Sequence, residues 1–475
     1  MLAASSCRHR AVGPDYKKPV TVTPPSWNTG MSEGLTSTTR PDESLAQWWT
    51  TLQDPILNGL IERAMKGNLD LRRAEAALRE ARARRGIANT DRFPTVSASG
   101  LVGFTRGSNR MGTAANAGFF STGFDAGWEY DVFGRVRRSI EVADANLEAS
   151  QELLRDILVS LLAEVAINYV EVRQYQAQLV IAESNLRIQE DTLRLARELY
   201  EAGLTTRLDV DQAEYSLAGS RARIPTLETN LEQAKNRLAV LLGARPGELS
   251  AELSGTGRIP VGPPEIAVGV PADTLRRRPD IRRAERVLAA RTAAVGVATA
   301  ARYPQFFLPG SIGYEMITKG NPLSLGNLIG SIAASAFYTV FDAGRIRQGI
   351  EVQNALQEQA LADYETSILL ALEEVENGLI AYADEQVRRR SLVEASEAAA
   401  RAVQVVRDSY GAGLVDFLPV LESQRSLLSF QDQLAQSDAT VTSDLIRLYK
   451  ALGGGWTPLA PQTVPQPPDK TGSNP

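Results

Sequence analysis

The chain has 475 residues, a formal net charge of −5, one Cys and one His. One Cys excludes an intrachain disulfide framework and any zinc site built on two or more cysteines, and any Ser-His-Asp or Cys-His enzyme would depend on His9, in a Pro-flanked N-terminal segment. The mild negative charge argues against a dedicated nucleic-acid binder, and no run of ~18 apolar residues offers a transmembrane helix.

Residues 1–53 form an arm broken by Pro14, Pro19, Pro24, Pro25 and Pro41. It is expected to be extended or irregular, held down by Trp27, Trp48 and Trp49. An internal repeat follows. Asp70 reads against Asp280 and Arg72-Arg73-Ala74-Glu75 against Arg282-Arg283-Ala284-Glu285, an offset of 210 residues. The same offset pairs Pro94 with Pro304, Gly134-Arg135 with Gly344-Arg345, and Ala202-Gly203-Leu204 with Ala412-Gly413-Leu414. One constant offset over so long a span marks a duplication. The chain therefore divides into the arm, a first copy at 54–243, a Pro-rich linker at 244–270, a second copy at 271–453 and a tail at 454–475, Pro-rich, polar and expected to be disordered.

Each copy predicts helix, hairpin, very long helix, helix. Residues 55–90 are rich in helix formers, with Asp54 as N-cap and Pro55 at the first position; the helix stops before Phe93-Pro94. The hairpin is placed at 95–133. Phe124, Ala126, Trp128, Tyr130 and Val132 alternate with Asp125, Gly127, Glu129 and Asp131, a strand with one apolar and one acidic face. The second hairpin is placed at 305–343, where Pro309 is awkward for a central strand. Between Arg135 and Pro225 there is no proline, and Leu158, Val165, Val172, Leu179, Leu186, Leu193 and Tyr200 recur at steps of seven. That is a heptad seam, and one helix from Arg135 to Ala202 would be ~100 Å long at ~1.5 Å per residue. Gly203 offers its stop, and Thr206 or Asp209 a cap for the returning helix. In the second copy Gly413 is the stop and Asp416 the cap.

An apolar-out, polar-in strand of this length fits a transmembrane barrel. Four strands per chain cannot close a barrel, since barrels begin at about eight; two or three chains would. The arginine clusters Arg276-Arg277-Arg278 and Arg282-Arg283 sit in helical sequence and read as solvated or inter-helix charges rather than a nucleic-acid patch.

Several motifs carry a family resemblance. They are Val12-Gly13-Pro14-Asp15-Tyr16; Trp48-Trp49 with Asp54-Pro55; Trp128-Glu129-Tyr130-Asp131-Val132-Phe133-Gly134-Arg135; Phe341-Asp342-Ala343-Gly344-Arg345; and Ala451-Leu452-Gly453-Gly454-Gly455-Trp456. The sequence resembles the TolC-type outer-membrane factors, in particular the lipoprotein (NodT-like) branch that serves multidrug efflux. The resemblance implies a mixed, mostly α fold. The duplicated unit would be one third of a twelve-stranded barrel continued by a long periplasmic α-helical barrel. It implies a homotrimer in outer-membrane lipid, with no enzymatic activity and no cofactor. Its partners would be a periplasmic membrane-fusion adaptor and an inner-membrane pump of the RND or a related type.

The resemblance also implies site residues. Ala202-Gly203-Leu204 and Ala412-Gly413-Leu414 match the helix tips where the adaptor docks. Glu422 matches the acid of the periplasmic aperture, with Arg425, Tyr410, Asp209 and Asp211 as candidate links of the closed state. Phe124, Trp128 and Tyr130 would face lipid, and Asp125, Glu129 and Asp131 the lumen. Cys7 matches the lipidated cysteine. The residues before it are too few for a signal h-region of ~7–15 residues, which reads as a start truncated upstream and leaves lipidation open. A duct for type I secretion and a coiled-coil scaffold remain as alternatives.

Overall fold

The computed structural model describes residues 11–20, 23–38, 45–105, 117–317 and 328–456. Cys7, His9 and the tail beyond Trp456 lie outside the described residues. In chain order the first elements are β1 (Leu35–Thr36), a 3-10 turn at Trp48–Leu52, α1 (Pro55–Gly67), α2 (Leu69–Thr90), β2 (Thr95–Thr105), β3 (Ala117–Tyr130), α3 (Arg135–Glu201) and α4 (Arg207–Leu241). After the linker come β4 (Ile266–Ala267), α5 (Pro271–Arg277), α6 (Pro279–Ala300), β5 (Gln305–Ile317), β6 (Leu328–Ile332), β7 (Ser335–Phe337), α7 (Arg345–Gly411) and α8 (Leu418–Ala451). Among the described residues no helix is long and apolar enough to cross a membrane. The chain falls into two compact units.

The first unit comprises Met1–Thr21, Ala74–Leu154 and Asp280–Ile368. Its sheet runs β2-β3-β5, with β6 and β7 both on the far side of β5 and every pairing antiparallel. Gly310 faces Ile332 and Phe307 faces Ser335, so β6 and β7 share one register and are a single strand interrupted at Ala333–Ala334. The interruption lies opposite Pro309. In an antiparallel ladder a residue's N–H and C=O both point to the same neighbour. Pro309 accepts from the Ala333 amide at 3.0 Å but returns no donor, so the ladder breaks on that side only. Toward β3 the Gly127–Pro309 pairing continues intact. Pro309 therefore does occupy a central strand, and the second hairpin's outer strand is split rather than continuous to residue 343.

The first hairpin is also shorter than 95–133. β3 ends at Tyr130, and Asp131 and Val132 lie beyond it. The Asp131 carboxylate accepts from the Arg137 backbone amide at 3.0 Å and its side chain at 3.3 Å, at the start of α3. Asp131 is thus not an inward residue of the strand.

In the same unit the arm residues Ala11–Lys18 are tied to α3 and α6. Arg138, 5% exposed at its side chain, bonds the Val12 carbonyl at 3.1 Å and the carboxylates of Asp15 at 2.7 Å and Glu141 at 2.6 Å. Lys18 pairs with Glu285 at 2.8 Å. Burial opposes ionisation of Glu285, yet Lys18 and Arg286 hold its carboxyl below the usual range. Arg282 pairs with the buried Glu152 at 2.9 Å, an inter-helix ion pair.

The second unit comprises Val22–Arg73, Arg155–Pro279 and Leu369–Pro475. Helix α1 buries Leu57, Leu60, Ile61 and Ala64 fully, the i, i+3, i+4, i+7 stripe of an amphipathic helix. Asp54 caps it, accepting from the Ile56 and Leu57 amides at 2.9 and 3.1 Å. Tyr169 donates to the other Asp54 oxygen at 2.7 Å, and Arg173 bonds the Tyr169 hydroxyl at 2.9 Å. Trp48 stacks on Tyr449 with ring centroids 5.6 Å apart and meets Trp49 edge-on at 5.9 Å. β1 and β4 pair in parallel, and Trp27 donates to the Gly269 carbonyl at 3.0 Å. Arg278 pairs with Glu374 at 2.6 Å and bonds the Ala451 carbonyl at 3.0 Å, so this arginine works within the protein.

The heptad seam does not coincide with the buried stripe of α3. Val165, Val172 and Leu193 are buried, Leu158, Leu179 and Leu186 half-buried, and Tyr200 exposed. A straight helix of 3.6 residues per turn drifts by ~20° per heptad. The seam nevertheless returns to the core at Leu193 and leaves it only at Tyr200, within the last turn before Gly203.

Candidate functional site

Two places collect the candidate residues: the sheet of the first unit and the helix tips of the second.

Residues opposite one another in register share a face of a sheet. Val102, Phe120 and Phe124 of the first hairpin therefore share a face with Trp128, Ile312 and Ile332. Trp128 and Tyr130, two apart on β3, stand with ring centroids 5.6 Å apart on that face. The Trp128 indole donates to the Arg92 carbonyl at 3.0 Å, which secures its polar edge at the strand's end. Phe124 and Tyr130 are 59% and 55% exposed, so nothing among the described residues covers this part of the apolar face. The other face carries Ser97, Ser99, Asp125 and Glu129 with Ser311 and Ser331. Ser99 donates to Asp125 at 2.9 Å, Ser311 and Ser331 share a bond of 2.7 Å, and Glu129 is ion-paired with Arg135.

At the tips, α3 and α7 end alike. Gly203 has φ of 73° and Gly413 of 70°. The Leu204 amide bonds the Leu199 carbonyl at 2.8 Å and the Gly203 amide the Tyr200 carbonyl at 2.9 Å. Leu414 to Ser409 and Gly413 to Tyr410 repeat this, both at 2.9 Å. These are Schellman caps, whose left-handed residue favours Gly. No atom lies within 4 Å of an added Cβ at either glycine, so φ alone sets the requirement. Each cap projects a leucine into solvent: Leu204 is 75% and Leu414 76% exposed.

Between the tips is a cleft of about 520 Å³, lined in part by Leu204, Thr205, Asp209, Tyr410, Leu414 and Asp416. Below it Leu193, Val210, Tyr410, Phe417 and Val420 form a buried cluster. The Tyr410 hydroxyl donates to Asp209 at 3.3 Å, and Thr205 and Thr206 also donate to that carboxylate. Burial, reinforced by Asp209, raises the Tyr410 phenol above its ordinary range, so it stays a donor. Arg425 donates to the Tyr215 hydroxyl at 3.3 Å and lies 5.8 Å from that ring's centroid. Asp211 is paired with Arg207 at 2.9 Å, four residues back on the same helix. Glu422 is exposed and has no ion-pair partner among the described residues.

Of the candidate links, the structure thus brings Tyr410 to Asp209, leaves Asp211 within its own helix, and gives Arg425 a partner that sequence reasoning missed. Tyr215 and Arg425 are 210 residues apart, equivalent positions of the two copies, and that offset was the available signal. Asp416 is not the cap of the returning helix. Phe417 holds that position, and no side chain caps the helix there.

An outer membrane efflux protein model matches residues 60–244 and again residues 270–454. Nodulation protein T of Rhizobium leguminosarum bv. trifolii is 31% identical over 467 residues, covering 97% of each chain. The toluene efflux pump outer membrane protein TtgF of Pseudomonas putida is 30% identical over 98% of this chain and 97% of its own. Among solved structures, the outer-membrane channel OprN superposes with a TM-score of 0.87 at 38% identity, over 94% of this chain and 100% of its own. A mostly helical chain with a small, apolar-faced antiparallel sheet is the TolC-like channel fold. The chain belongs to the outer membrane efflux protein family, and it is an efflux channel of the outer membrane rather than an enzyme.

Proposed function

We propose that three copies of this chain assemble into a twelve-stranded barrel in the outer membrane, continued into the periplasm by the long helices. The assembly passively releases drugs or other small molecules delivered by an inner-membrane pump through a periplasmic adaptor. The observation that carries this is the four-stranded sheet. Its apolar face is uncovered, and both outer strands have unpaired edges among the described residues. In lipid every backbone polar group needs a partner, so an open edge is tolerated only if another copy closes it. Native mass measurement of the purified protein with bilayer recording tests the reading. A trimer with stable conductance is expected, and a non-conducting monomer would overturn it.

The adaptor would dock on the exposed Leu204 and Leu414. Replacing both with Asp puts charge where an apolar contact forms and is expected to lower adaptor affinity at least tenfold in a binding assay, with the channel's own conductance unchanged. Unaltered affinity would remove the tips from the docking surface.

Glu422, exposed on α8 near the tip, would form a ring of three carboxylates about the threefold axis, and such rings favour cations. Glu422→Ala is expected to shift the reversal potential under a salt gradient toward that of an unselective pore. An unchanged potential would place the residue outside the conduction path.

A further inference from the structure

A cleft of about 920 Å³ lies within the second unit, where the linker runs beside α3, α7 and α8. Its apolar walls come from Ala177, Val180 and Ile181 of α3, Val441 of α8, and Ile259 and Val261 of the linker. Val180 and Val261 remain 47% and 77% exposed, so apolar surface is left facing water. The walls are held in place. Gln176 donates to the Leu253 carbonyl at 2.7 Å, Arg173 to the Gly255 carbonyl at 3.0 Å and Thr442 to the Pro260 carbonyl at 2.6 Å. An added Cβ at Gly262 would come within 2.3 Å of Leu445, so the linker lies directly against α8. A preformed, concave and mostly apolar space of this size suits a drug-sized molecule.

The polar groups of the cleft select among such molecules. Its two acids are already committed, Asp438 to Arg389 and Glu33 to Arg390. Arg258 also lines the cleft and is exposed, and it has no hydrogen bond or ion pair among the described residues. Its guanidinium keeps its planar fork of donors, the geometry that matches a carboxylate. Tyr382 lines the cleft at 3% exposure. Its hydroxyl accepts from Gln386 at 2.9 Å, and its own proton has no acceptor among the described residues. Burial raises this phenol above its ordinary range, so it stays a donor. A buried donor without an acceptor is costly, and a ligand oxygen removes that cost.

We infer that the cleft binds a small organic anion, a carboxylate carried on an apolar body. Arg258 holds the carboxylate, Tyr382 donates to a ligand oxygen, and the apolar walls cover the body. An organic cation would find no unpaired acid here, and a purely apolar molecule would leave both donors unused. The site is separate from the sheet and the helix tips, and it does not rest on the ring assembly proposed above.

Equilibrium binding of naphthoate to the purified protein in phosphatidylcholine nanodiscs, with empty discs subtracted, tests the site. Saturable binding is expected, and naphthylmethanol, the neutral analogue, should bind at least tenfold more weakly because it leaves the guanidinium unpaired. Arg258→Ala should weaken naphthoate at least fivefold and leave naphthylmethanol unchanged, since only the charged contact is lost. Arg258→Lys, which keeps the charge but not the fork, should fall between the two. Tyr382→Phe keeps the buried ring and should weaken naphthoate about threefold through the lost hydrogen bond. Absence of saturable binding, equal affinity for the two probes, or a naphthoate affinity indifferent to Arg258→Ala would each overturn the assignment. Native mass and conductance, read on the same samples, report separately on the channel, so failure of this site leaves the export reading standing.

Discussion

In planar bilayers, the protein carrying Asp209→Ala together with Arg425→Ala is expected to conduct several-fold more than the unmodified channel. The two substitutions remove the contacts between the helix hairpins that the structure places at the tips. One is Tyr410 to Asp209 at 3.3 Å, the other Arg425 to Tyr215 at 3.3 Å. A hydrogen bond to a charged group contributes ~1.5–3 kcal/mol when sheltered, and an exposed polar pair under ~1 kcal/mol. Tyr410 is only 4% exposed while Tyr215 is 52% exposed, so the first contact should dominate. If both exist only in the closed state, their loss favours opening by about 2 kcal/mol per protomer, roughly a thirtyfold change in the open-to-closed ratio. Asp209→Ala alone should then reproduce most of the effect and Arg425→Ala little of it. Equal, wild-type conductance in all three variants would show that these contacts do not hold the aperture.

The largest loss of stability is expected from Trp48→Ala. Trp48 is 1% exposed, stacked on Tyr449 and edge-on to Trp49. Truncating a buried aromatic of this size costs ~3–5 kcal/mol through lost transfer free energy and the cavity left behind, and the two ring contacts are part of that cost. The folded protein in detergent should show a clear fall in its denaturant midpoint by circular dichroism. Trp49→Phe, which keeps an aromatic edge at a 9% exposed position, should cost under half as much. A change below about 1 kcal/mol for Trp48→Ala would mean that this cluster does not anchor the arm.

What was legible in the sequence divides along the range of the interactions. The helix tips were legible because a left-handed residue favours Gly, and Gly203 and Gly413 stand in identical Ala-Gly-Leu settings. The apolar and polar faces of β3 were legible because alternation is a property of one strand. The family was legible from motifs that run along the chain, such as Trp128 to Arg135. The seam of α3 was legible in part: Val165, Val172 and Leu193 are buried, and Tyr200 emerges into solvent in the last turn of the helix, where fewer neighbours cover it. Asp131 was misplaced because Arg137, six residues on, competes for its carboxylate. Pro309 looked misfitted because sequence does not say which neighbour the missing donor faces. Tyr215 as the partner of Arg425 depends on contact across 210 residues, where no local pattern exists.

The two long helices, α3 and α7, have different sequences but the same length, 67 residues each. A single inserted residue in either would turn everything beyond it by ~100° and advance it by ~1.5 Å. Every buried side chain downstream would leave its face, and one tip would overshoot the other. Residue identity along these helices can therefore drift far more freely than residue number. In a library of random variants, deletions inside Arg135–Glu201 or Arg345–Gly411 should be purged almost completely, even at positions where most substitutions are tolerated.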